Sequence, residues 1–152
     1  TFSYVRDLVE RLTGTRPEQD DDGDLPVFMA GAQFYVRIIG SVDSWVQVFS
    51  VALADVEASP ELLTSINEIN SKLRFARAFH VDGQVLIETE IWSDDVNPAN
   101  FDHACQNVAG ATDAFARNLQ QAFGGRLAFE QSKSADYSEE SQQFGLAAGP
   151  YL

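Results

Sequence analysis

The sequence predicts an α+β domain: one antiparallel sheet packed against a long helix, in the order helix, strands, helix, hairpin, helix. Three observations carry this reading. Behind an Asn97-Pro98 start, Phe101, Ala104, Cys105, Val108, Ala111, Phe115, Leu119 and Phe123 recur at helical spacing and stop at Gly124-Gly125. Residues 75–81 and 84–92 alternate as two strands across Asp82-Gly83, a dipeptide suited to a primed two-residue turn because Gly takes positive φ freely and Asp tolerates it. Residues 33–39 and 46–56 are rich in the Val, Ile, Phe and Tyr that sheets favour.

Each element has its own punctuation. Residues 2–13 form an amphipathic helix, with Val5, Leu8, Val9 and Leu12 on one face and Arg6, Asp7, Glu10 and Arg11 on the other, ended by Gly14. Such a short helix must dock on the rest of the chain to be stable. Residues 15–24 are a polar, acidic loop. Its Glu18, Asp20, Asp22 and Gly23 imitate the first half of a calcium-binding loop, but Met29 stands where the bidentate Glu belongs, so a solvated loop is the better reading. Residues 25–30 are expected to be a first strand, Gly31 a bend or bulge, and 33–39 a second strand. Residues 40–44 lead into the strand 46–56. Ser59-Pro60 then opens a helix, with Ser as the cap, along the apolar stripe Leu62, Leu63, Ile66, Ile69 and Leu73. After the long helix, residues 126–129 could add a short strand. Residues 1–129 are read as one domain, and 130–152 as a polar tail dotted with Tyr137, Phe144, Leu146, Tyr151 and Leu152.

Composition narrows the function. The chain has 152 residues, 11 of them Phe, and a formal net charge of -13. That charge opposes binding to nucleic acid phosphates or to anionic membrane surfaces, and no apolar run is long enough to insert in a bilayer. One cysteine excludes an internal disulfide and a cysteine-based zinc site. It falls on the long helix's apolar stripe and reads as an inert core thiol. With no signal-peptide pattern at the start, a reducing cytoplasm is the expected location. Glu88, Glu90 and His80 on the later hairpin raise an acid–base or metal site, but no second His stands at ligand spacing, since His103 lies near the start of the long helix. Solvated charges on an outer sheet face are the better reading. No glycine-rich phosphate loop, nucleophile elbow or HExxH motif occurs, so no enzyme, cofactor or metal is expected.

The strands carry more aromatic surface than a solvated face needs. Phe34, Val36 and Ile38 share one face of their strand; Trp45, Gln47, Phe49 and Val51 share one face of the next, opposite Val46, Val48 and Ser50. Pattern alone does not say which of Phe34, Val36, Trp45 and Phe49 face the core. Gln47 makes the Trp45 and Phe49 face the better candidate for contact with a partner, with Val46 and Val48 turned to the helix layer. If that assignment is reversed, the surface lies on the Glu88 and Trp92 side. The candidate contact residues are therefore Trp45, Phe49, Phe34, Val36 and Trp92.

The element order resembles the type III secretion chaperone-like fold. The run from Ile69 through Asn70, Ser71, Lys72, Leu73, Arg74, Phe75 and Ala76 to Arg77, followed by Val81-Asp82-Gly83-Gln84-Val85, is similar to the YbjN-like branch. The resemblance covers residues 2–123 and is sharpest over 66–101. It implies a small cytoplasmic bacterial protein, often a homodimer, that holds a partner chain against a sheet or helix surface. It supplies no catalytic residue. The function expected is non-enzymatic protein or peptide binding, as a chaperone-like or adaptor domain. The alternative is a homodimeric scaffold with no peptide ligand.

Overall fold

The computed structural model describes residues 1–128; the tail 130–152, and with it the end of the strand expected at 126–129, lies outside the described residues. The element order is α1 (Phe2–Thr13), β1 (Leu25–Met29), β2 (Ala32–Ile39), β3 (Trp45–Leu53), α2 (Pro60–Lys72), β4 (Arg77–Val81), β5 (Gln84–Trp92), a 3-10 turn at Ser93–Asp95 and α3 (Pro98–Phe123). The strands form one five-stranded sheet in the order β1-β2-β3-β5-β4, with every pairing antiparallel. No described helix is long and apolar enough to cross a membrane.

The helix starts follow from local chemistry. Ser59 Oγ accepts from Leu62 N at 3.1 Å and Asn97 Oδ1 from Asn100 N at 3.0 Å, each satisfying one of the N–H groups a helix start leaves open. Proline follows each cap at the first helical position, where its missing N–H costs nothing. Gly14, at φ 76, closes α1 by donating to Glu10 O.

Both hairpins turn on two left-handed residues. Asp82 (φ 48) and Gly83 (φ 74) link Val81 to Gln84, as expected. Ala30 (φ 52) and Gly31 (φ 78) link Met29 to Ala32, so Gly31 is part of a tight turn between paired strands and not a bend or bulge. Two boundaries and one core position differ from the sequence reading. β3 ends at Leu53, where the ladder shifts register and Ala54 pairs instead with Arg126, which is all that the described residues show of the strand expected at 126–129. Phe75 and Ala76 precede β4, because Phe75 turns left-handed (φ 59). Leu63 is exposed on α2 while Leu62, Ile66 and Ile69 carry its buried face.

All three helices cover one side of the sheet. Toward β1 and β2, α1 and the first half of α3 enclose Phe34, Val36, Val46, Val48, Phe101 and Cys105. Toward β4 and β5, α2 and the second half of α3 enclose Leu53, Leu62, Ile66, Val85, Ile87 and Leu119. The other side of the sheet carries no helix among the described residues.

Candidate partner-binding face

Strand alternation sorts the candidate residues by face. Phe34 and Val36 are 0% and 1% exposed, in the core beneath α1 and α3. They are therefore corrected from partner contacts to core residues: their side of β2 is the side the helices seal from any ligand. Trp45 and Phe49 point the other way, half-buried, while Val46 and Val48 between and beside them are fully buried. Register extends the outer face across the sheet. Trp45 lies opposite Ile39 and Trp92, Gln47 opposite Arg37 and Glu90, and Phe49 opposite Tyr35 and Glu88. So Trp45, Phe49 and Trp92 belong to one surface rather than to two competing ones. Tyr35, Ile39, Phe79 and Leu86 join them there and escaped the sequence reading. A usable signal existed on β2, where Arg37 marks the outward phase and Tyr35 and Ile39 share it.

The face is a patchwork of rings and ion pairs. Tyr35 and Phe49 stack at 5.4 Å, and Trp45 meets Trp92 edge-on at 6.0 Å. The Arg37 guanidinium forks onto Asp24 at 2.5 and 2.6 Å and lies 5.0 Å from the Phe49 ring centre. Asp24 first among its causes holds the Arg37 pKa above its ordinary value, and burial pushes the Tyr35 phenol upward. Arg77 binds Glu88 through Nε at 2.7 Å and through Nη2, and lies 5.2 Å from the Phe79 ring centre. Glu88 also accepts from Gln47 Nε2. With 1% exposure, Glu88 corrects the expectation of a solvated carboxylate. It is on the outer face as expected, but Arg77 and Gln47 close over it, as a buried charge requires. Trp92, 60% exposed, is the most open ring of the face beside Phe28 at 57%. The Trp45 indole N–H is buried and has no hydrogen-bond acceptor among the described residues.

The other chemical readings do not assemble. His80 lies on the helix side of β4, its Nε2 2.8 Å from Val56 O, whereas Glu88 and Glu90 share the outer face. The three side chains do not converge. In the acidic loop, Asp20 Oδ1 accepts from the N–H groups of Asp22 and Asp24 at 3.0 and 2.8 Å, and Asp24 is taken by Arg37, so these carboxylates brace the loop. Cys105 is fully buried, and burial first, with Asp102 second, pushes its thiol up to about 12, so it is no nucleophile at neutral pH.

No curated protein sequence matches the chain. Several solved structures share its fold, among them the following three. A chain of the ExsC-ExsE complex superposes with a TM-score of 0.59 at 12% identity, covering 77% of this chain and 94% of its own. A chain of the HopA1-SchA chaperone-effector complex gives 0.53 at 11% identity, covering 76% and 92%. A chain of the heterodimeric ExoU-SpcU complex from the type III secretion system of Pseudomonas aeruginosa gives 0.50 at 12%, covering 74% and 95%. The model of the T3SS (YopN, CesT) and YbjN peptide-binding chaperones matches residues 2–131, most of the chain, and the chain belongs to that family.

Proposed function

We propose that this peptide-binding chaperone holds an extended segment of a partner protein across the outer face of its sheet, with Trp45, Phe49 and Trp92 as the main contacts. The observation that carries the reading is a sheet face that bears no helix among the described residues and on which Tyr35, Ile39, Trp45, Phe49, Phe79 and Trp92 stand exposed or half-buried between the charged pairs, where a solvated face needs only polar residues. Rings on such a face offer large apolar area at low conformational cost, and bound segments gain specificity from pockets between alternate side chains. Arg37 and Arg77, held over Phe49 and Phe79, keep polar groups within reach of a partner backbone. The reading needs no bond-making chemistry and is that of a non-enzymatic binder acting in the bacterial cytoplasm.

A displayed peptide library panned on the wild-type protein tests it. Selected peptides are then titrated by calorimetry into Trp45→Ala and Phe49→Ala. A loss of more than about 1 kcal/mol with the fold retained is expected, since central aromatic anchors carry most of an interface's energy. Undiminished affinity in both variants moves the site off this face.

A further inference from the structure

The segment that follows Ala128 starts within reach of the outer face. The β2–β3 ladder ends at Tyr35 opposite Phe49. Gln33 and Val51 stand two residues from those rings, on the same side of their strands by alternation. At this end of the sheet Arg126 pairs with Ala54, Leu127 is buried, and Ala128 lines a cavity together with Gln33, Ser50 and Val51. Residues 129–152 therefore set out from beside the Tyr35 and Phe49 stack. From Ala128 an extended chain carries residue 144 up to about 50 Å, enough to round the end of the sheet. Along β3, Phe49 and Trp45 are only about 13 Å apart.

The composition of the segment fits that face. In a chain of net charge -13, residues 141–152 carry no charged side chain. Phe144 and Leu146, with Gly145 between them, share one side of an extended segment, the alternation a sheet face receives. The arginines of the face are already taken, Arg37 by Asp24 and Arg77 by Glu88, so an uncharged apolar segment suits the rings better than an acidic one. The family match ends at residue 131, and residues 141–152 lie beyond what the family shares.

We infer that Phe144 and Leu146 lie against Trp45, Phe49 and Trp92, so that the chain carries its own occupant for the outer face and a partner segment must displace it. The inference rests on the reading of that face as a binding surface. A tethered occupant acts at an effective concentration of about 1 mM, so weak contacts suffice to hold it, and a partner's apparent affinity falls with the fraction of molecules left open.

The chain's two tryptophans, Trp45 and Trp92, both stand on this face, so acrylamide quenching of their fluorescence in the full chain reads its cover. The double variant Phe144→Ser, Leu146→Ser is expected to be quenched more strongly than the wild type. It is also expected to bind peptides selected on the wild type about three- to tenfold more tightly. A synthetic peptide of residues 141–152, added at about 1 mM, is expected to restore the protection. Equal quenching of the two proteins overturns the inference and leaves the peptide-binding reading standing. So does an unchanged affinity for peptides that depend on Trp45. Stronger quenching of the double variant, with peptides indifferent to Trp45→Ala and Phe49→Ala, keeps the segment on the face and removes the peptide-binding reading instead. Should the double variant unfold, Leu146→Ser alone decides by the same quenching.

Discussion

Glu88 and Cys105 occupy buried positions for different reasons, and each has a measurable consequence. Glu88 is held by Arg77, whose own side chain is 65% exposed, so water screens part of the pair's energy. Arg77→Met, which keeps the apolar cover over Phe79 but removes the charge, is expected to cost about 1–3 kcal/mol in urea unfolding, because it strands a buried carboxylate. Arg16→Met, at ion pairs with Asp7 and Glu10 that are exposed on both sides, is expected to leave stability nearly unchanged. Equal costs would mean that Glu88 is solvated after all. For Cys105, the folded thiol sits at about 12 against an ordinary 9.0. The protonated thiol is the form the fold favours, so stability is full below the unfolded value of 9.0 and is lost as pH rises from there toward 12. Unfolding measured across that range is expected to show a downward slope that Cys105→Ala reduces, with slow native labelling by a thiol reagent and fast labelling in denaturant. An identical slope in both proteins assigns the alkaline loss to other groups. Cys105 was legible in the sequence because its neighbours on the stripe are apolar. Glu88 was not, since alternation gives the face of a residue and not what closes over it.

Elements were read most securely where one residue type has one conformational job. Asp82-Gly83 announced its hairpin because both residues accept left-handed backbone, and the turn sits where the sequence put it. Ala30-Gly31 makes the same kind of turn but hides it, since alanine has no affinity for φ 52. Phe75 hides the start of β4 in the same way. The two turns are thus expected to respond oppositely to substitution. A Cβ at Gly83 would meet only Val56 O, at 4.0 Å, so Gly83→Val is opposed by backbone conformation and not by a clash, and it is expected to lower stability by about 1–3 kcal/mol. Ala30→Gly relieves a strain of the same type and is expected to raise stability by about 0.5–1 kcal/mol, despite the added freedom of its unfolded chain. Thermal melts of the two single variants check both signs. A destabilising Ala30→Gly would show that unfolded-state entropy outweighs the strain.

At the scale of the whole molecule, the decisive feature is that one sheet has two unlike faces. Helices α1, α2 and α3 seal one, and the described residues leave the other to its own rings and ion pairs. The sequence conveyed the sealed face through helix periodicity and conveyed the assignment of Trp45, Phe49, Val46 and Val48, because Gln47 interrupts one side of β3. It could not place Phe34 and Val36, or bring Trp92 beside Trp45, since inter-strand register lies in long-range pairing that no local pattern encodes. Neighbouring positions on β3 therefore offer a direct test of the two-faced sheet. Val48 is 0% exposed beneath the helix layer, so Val48→Asp buries a charge with no partner and is expected to remove more than about 4 kcal/mol, leaving no folded protein in circular dichroism. Phe49 is half-buried, stacked on Tyr35 and covered by Arg37, contacts made entirely on the outer face. Phe49→Ala is expected to cost only about 1–2 kcal/mol, because water can fill the space it leaves and no closed cavity forms. The folded variant should retain its cooperative melt while losing affinity for peptides selected on the wild type. If Phe49→Ala unfolds the chain as Val48→Asp does, the outer face is core-like in its energetics, and a covering segment must stabilise it in the folded state.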